Sequence, residues 1–121
     1  MSDTTMTYKE RMSALRCAVV MPTYNNAGTI DKVISDVKEY AADVIVVNDG
    51  STDDTKDILS SISDIKVVDY PNNKGKGYAL KLGLKKAYEW GFRYAITIDS
   101  DGQRYADDIP AFIEKIEVKP D

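Results

Sequence analysis

"VIVVNDGSTDDT", from Val44 to Thr55, sets four β-branched residues against a polar turn. The apolar run is continuous, not alternating, which is the pattern of a parallel strand buried on both faces. The turn that follows is also a helix start. Ser51 or Thr52 can cap it, Asp53 and Asp54 suit the positive end of a helix dipole, and Ile58, Leu59 and Ile62 form its apolar side. Strand, turn and helix in immediate succession are the repeating half of a βαβ protein.

The same unit recurs along the chain. "CAVVM" (17–21), "IKVVD" (65–69) and "YAITID" (94–99) are further strand candidates of the same kind. Between them, Ile30, Val33, Ile34, Val37 and Ala41 keep helical spacing after Gly28 and Thr29, and a helix from Lys76 to Trp90 carries Ala79, Leu82 and Ala87 before Gly91. A last helix follows Tyr105, with Ile109, Phe112, Ile113 and Ile116 on one stripe and Pro110 in its first turn. The order β-α-β-α-β-α-β plus a final helix predicts an α/β fold, with a sheet of parallel strands, helices on both faces and right-handed crossovers. Ligands of such sheets bind beyond the carboxyl ends of the strands, where strand order reverses.

Bulk properties narrow the function. The 121 residues are 43% hydrophobic and 30% charged, as in an ordinary globular domain. A net charge of −4, with no histidine, argues against a broad nucleic-acid surface. The single cysteine, Cys17, sits in an apolar run and reads as a small buried hydrophobe. "MSDTTMTYKERMSALR" has no long apolar core, so neither a signal peptide nor a membrane span is expected and the chain reads as cytoplasmic, peripheral to a membrane at most. Residues 1–15 read as a polar extension and 16–121 as the folded domain.

All four predicted strand ends lead into polar loops on one sheet edge: "PTYNNAGT", "NDGSTDDT", "YPNNKGKGYA" and "DSDGQRY". Asp99 and Asp101 stand two apart at the end of the fourth run, so in extended backbone their carboxylates face one side, roughly 6 to 7 Å apart. Mg²⁺ or Mn²⁺ shared with a diphosphate suits such a pair, since these ions take carboxylate, phosphate and water oxygens. Asp49 is expected as a lone acceptor for a base N–H or ribose hydroxyls, and Tyr24 as a flat face for a base. "KGKG" (74–77) opens a helix with glycine backbone and two lysines, as an anion site requires. It matches neither a P-loop nor a complete dinucleotide fingerprint. Lys81, Lys85 and Lys86 read as a solvated helix face.

Together, "VVMPTYNNAGTI", "VIVVNDGSTDDT", "NNKGKGYALKLGLKKA" and "YAITIDSDGQRYADDIPAF" resemble the family 2 glycosyltransferases of the GT-A fold, in order and spacing, from about Arg16 to Phe112. "NKGKGYAL" and "IDSDGQ" look most like the branch that moves sugars onto polyprenyl phosphates, such as dolichyl-phosphate glucose and mannose synthases. The resemblance implies metal-dependent, inverting transfer from a UDP- or GDP-sugar to a polyprenyl phosphate or glycan. Pro22, Thr23, Tyr24 and Asp49 would hold base and ribose, Gly75 and Lys76 would line the donor site, Asp99 would sit near ribose and diphosphate, and Asp101, with Asp99, would bind Mn²⁺ or Mg²⁺. Lys74 and Arg104 are further candidates beside the diphosphate.

Members of the family normally continue well past the equivalent of "EKIEVKPD", with an acceptor pocket and an acidic general base. The expectation is therefore a truncated sheet holding the donor half only, with no catalytic base to assign. An open edge on the fourth strand could template a homodimer, which light scattering at monomer mass would contradict. Two other readings stay open: a non-catalytic nucleotide- or metal-binding module of the same fold, and, more remotely, a phospho-receiver domain. The latter needs an acidic pair after the first strand, where "PTYNN" has no acid.

Overall fold

The computed structural model describes residues 6–100 and 105–118. Its four strands are β1 (Cys17–Thr23), β2 (Val44–Asp49), β3 (Lys66–Tyr70) and β4 (Tyr94–Thr97), all parallel, in spatial order β3-β2-β1-β4. The helices are α1 (Tyr8–Ala14), α2 (Ile30–Lys38), α3 (Thr55–Ser60), α4 (Lys76–Glu89) and α5 (Ile109–Val118), with a short 3-10 turn at Tyr105–Asp108. The chain runs outward from β1 to β3, then crosses back through α4 to β4 on the far side of β1. A right-handed crossover that reverses direction must pass over the opposite face. Hence α4 covers one face, and the other four helices contribute to the larger core on the other.

Side chains of β1 and β2 divide with period two, and every residue of both strands is buried. Cys17, Val19 and Met21 join Val44 and Val46 beneath α2 and α5, while Ala18, Val20 and Ile45 meet Ala87 of α4. Burial pushes the Cys17 thiol up to about 11, as befits an inert core residue. β3 departs from the expected two-sided burial: it is an edge strand, and Val67 is 40% exposed.

α4 can lie close to the sheet because Gly83 has no side chain. A Cβ there would strike Cγ1 of Val20 and lie 3.0 Å from Cγ2 of Val47, both stiff branched groups. Gly83→Ala is expected to destabilise the fold by about 1–2 kcal/mol, the overpacking penalty outweighing the better helix propensity of Ala. An unchanged melting temperature would contradict this.

Three local features differ from the sequence reading. α3 is not capped by Ser51 or Thr52. Asp54 occupies the N-cap without a side-chain bond, and Asp53 Oδ1 accepts from the Thr55 N–H at 2.9 Å. Ser51 and Thr52 are instead tied to Asn25, as described below. β4 stops at Thr97, so Asp99 lies beyond the extended strand. The reason is in β1: the Ile98 N–H reaches the Val20 carbonyl at 3.1 Å, but the next β1 residue facing that way is Pro22, which has no N–H to continue the ladder. Finally, the polar N-terminal segment contains α1. Thr7 and Glu10 form a reciprocal capping box, and Met12 is fully buried in the main core. Arg11 clasps Glu117 of α5 with two bonds, at 3.0 and 2.5 Å, and holds that carboxyl below its usual range.

Candidate donor site

The strand order reverses between β1 and β4, and a cavity of about 300 Å³ opens just beyond their carboxyl ends. Pro22 and Thr23 end β1, and Tyr24 follows them. Asp49 ends β2, Gly75 and Lys76 open α4, and Asp99 follows β4. All of these residues line this cavity. Asp101, Gln103 and Arg104 lie outside the described residues.

The cavity walls are tied together by side chains that sequence reasoning did not single out. Ser100 Oγ donates to the Pro22 carbonyl at 3.0 Å and accepts from Asn26 Nδ2 at 2.6 Å. It thus joins the β4 end to β1 where the backbone ladder has failed. The β1 and β2 loops are laced through Asn25, which takes the left-handed conformation at φ 52° that Asn tolerates. Its Oδ1 accepts from the N–H groups of Thr52 at 2.7 Å and Asp53 at 3.3 Å, while its own N–H reaches Ser51 Oγ at 2.9 Å.

Asp49 is not the lone acceptor expected from its place after β2. It is 3% exposed, and its carboxylate accepts from Tyr70 Oη at 2.6 Å, Asn73 Nδ2 at 2.9 Å, the Lys74 N–H at 2.8 Å and the Gly75 N–H at 3.0 Å. A carboxylate has about four lone-pair sites, so this one is committed within the protein. Its effect is to fold the 73–75 loop across the end of β2. Burial, then the bond to Asp49, drives the Tyr70 phenol far above its ordinary value.

Lys76 and Asp99 form an ion pair across the cavity mouth, each partly exposed. Tyr24 stands at the rim, 45% exposed, with ring area free for contact. The described residues hold no cluster of three or more His, Cys, Asp or Glu placed for a metal. Asp99 alone still fits Mg²⁺ or Mn²⁺ chemistry, in which one or two carboxylates complement phosphate and water oxygens.

The chain is similar to known proteins in both sequence and fold. In Methanococcus voltae, UDP-N-acetylglucosamine–dolichyl-phosphate N-acetylglucosaminyltransferase is 33% identical over 115 residues, covering 81% of this chain and 46% of that protein. Poly-beta-1,6-N-acetyl-D-glucosamine synthase of Staphylococcus aureus is 33% identical over 88 residues, covering 68% of this chain and 21% of its own. Among solved structures, S. aureus TarS (TM-score 0.64, 27% identity) covers 84% of this chain and 33% of TarS. Glucosyl-3-phosphoglycerate synthase of Mycobacterium tuberculosis, in complex with Mn²⁺, UDP and glucosyl-3-phosphoglycerate, superposes with TM-score 0.60 at 29% identity, over 83% of this chain and 39% of that one. The chain therefore spans less than half the length of each of these relatives. Its parallel sheet with the α4 crossover is the GT-A arrangement of these structural neighbours. The family model for glycosyl transferase family 2 matches residues 18–121, from the second residue of β1 through all four loops that build the cavity, and the chain belongs to that family.

Proposed function

We propose that this chain forms the donor-binding part of an enzyme that transfers a sugar from a nucleoside-diphosphate sugar, UDP-linked in the first instance, with inversion and with Mn²⁺ or Mg²⁺. The observation that carries the reading is the meeting of all four strand-end loops in one cavity. Tyr24 offers a stacking face for the base, and Pro22 and Thr23 line the cavity beside it. Gly75 and Lys76, at the positive end of α4, take the diphosphate side. Asp99 and Asp101 would hold the ion, which when bound supplies Lewis-acid neutralisation of charge on the departing nucleoside diphosphate. In this reading Lys76 and Asp99, paired with each other in this structure, would instead face the diphosphate and its cation. The preference for UDP follows the Mn²⁺- and UDP-bound relative, and a polyprenyl-phosphate acceptor follows the archaeal one. Among the described residues none is assigned as the acceptor's general base.

Calorimetry of UDP and GDP against this chain, with and without Mn²⁺, tests the proposal. UDP is expected to bind in a metal-dependent way, and Asp101→Asn to abolish the dependence on metal. Weak binding of both nucleotides that ignores Mn²⁺ would count against it.

A further inference from the structure

The outward face of α4 mixes lysines with exposed tyrosines and a leucine. Helix α4 carries Lys76, Lys81, Lys85 and Lys86 against one acid, Glu89, although the whole chain is at −4, and of these lysines Lys76 is paired with Asp99. At helical spacing Tyr78, Lys81, Leu84, Lys85 and Tyr88 fall within an arc of about 120°. All five are exposed, Tyr88 by 82%, Tyr78 by 46% and Leu84 by 43%. The buried side of the same helix is Ala79, Gly83 and Ala87, packed on the sheet. Glu89 borders the arc, about 20° past Tyr78 and four residues after Lys85, and pairs with Lys86 at 3.6 Å; neither Lys81 nor Lys85 has a carboxylate partner within 4 Å among the described residues. The sequence reading of a solvated lysine face therefore omits half of it, because tyrosines and a leucine alternate with the lysines.

We infer that this face of α4 docks the protein onto an anionic lipid surface. Lysines whose stems lie flat and whose ammonium groups reach phosphates, interleaved with tyrosines at headgroup depth and an aliphatic side chain below them, match the layered chemistry of a bilayer interface. Charge complementarity favours anionic lipid over neutral lipid. A nucleic-acid strand fits the geometry less well. The face is the convex side of one helix and not a groove, and Tyr78 is already engaged edge-on by Tyr70 at 5.5 Å and by the Lys74 ammonium at 5.5 Å. The position is also apt. α4 starts at Lys76 in the donor cavity, so a membrane lying along the helix brings lipid headgroups to the cavity's mouth. The inference stands on the helix face itself and does not depend on nucleotide binding.

Co-sedimentation of this chain with phosphatidylcholine vesicles, and with phosphatidylcholine–phosphatidylglycerol vesicles, tests it. Binding is expected to the mixed vesicles only, and to weaken as added salt shortens the reach of the lysine charges. A lysine near an anionic surface contributes roughly fivefold in affinity, so Lys81→Gln with Lys85→Gln should weaken binding about 25-fold. Tyr88→Ser with Leu84→Ser should also weaken it while leaving the salt dependence in place. Melting temperatures equal to the parent's show that both pairs of variants remain folded, and the salt titration of the parent is an independent reading. The inference is overturned if the parent ignores the anionic vesicles, if the lysine variant sediments as well as the parent, or if single-stranded DNA binds this face more tightly than the vesicles do.

Discussion

Gly50→Ala is expected to lower the melting temperature by about 15 °C, corresponding to a loss of roughly 3–5 kcal/mol. Two costs coincide at this residue. Its φ is 68°, a conformation that residues with a Cβ adopt only with strain. A Cβ built there would also lie well inside 3.0 Å of the Asn73 nitrogen and the Asn72 carbonyl carbon. Both obstacles are backbone, so neither can swing aside. The 72–73 segment must move, and it carries the Asn73 amide bonded to Asp49 and leads directly into Gly75 and Lys76 of the cavity. Nucleotide affinity should therefore fall with stability. Gly28→Ala is the matched control: no atom lies within 4 Å of a Cβ there, and its effect on melting should be small. A Gly50→Ala protein with parental melting and parental nucleotide binding would show that the two loops do not depend on this close approach.

The main architecture was open to sequence reading because the inner strands are decided by hydrophobicity alone. β1 and β2 are buried on both faces, so Cys17–Met21 and Val44–Val47 are continuous apolar runs and polar residues enter only at the strands' carboxyl ends. The converging loops were equally open, since strand ends in a parallel sheet share one edge. Other features depend on contacts that no local pattern displays. α1 is seven residues long with Met12 as its one buried side chain, too short for a stripe, although the Thr7 and Glu10 spacing was a capping signal available to be read. The end of β4 depends on the missing N–H of Pro22 on the neighbouring strand. The engagement of Asp49 depends on the β2–β3 register. That register sets Asp49 opposite Tyr70, and the remaining donors lie 24 to 26 residues further along the chain.

That engagement makes Asp49 the position where a one-atom change separates two roles. Asp49→Asn preserves shape but leaves a single carbonyl oxygen and turns an NH₂ toward groups that themselves donate. The four donors from Tyr70, Asn73, Lys74 and Gly75 cannot then all be satisfied. A buried donor left unpaired costs about 1–3 kcal/mol, so a total loss of about 3 kcal/mol and a melting temperature about 10 °C lower are expected. Nucleotide affinity should decline too, because the freed 73–75 loop no longer fixes Lys76 at the start of α4. Asp49→Ala should be no milder, since it removes all four acceptor sites. The alternative assigns the carboxylate to the base or ribose of a bound nucleotide. It predicts the opposite division: unchanged melting, with the loss confined to nucleotide binding. Differential scanning calorimetry beside nucleotide titration reads both quantities on the same variant. A parental melting curve with weakened binding would return Asp49 to the role of direct ligand, while a parallel fall of both identifies it as the residue that builds the cavity wall.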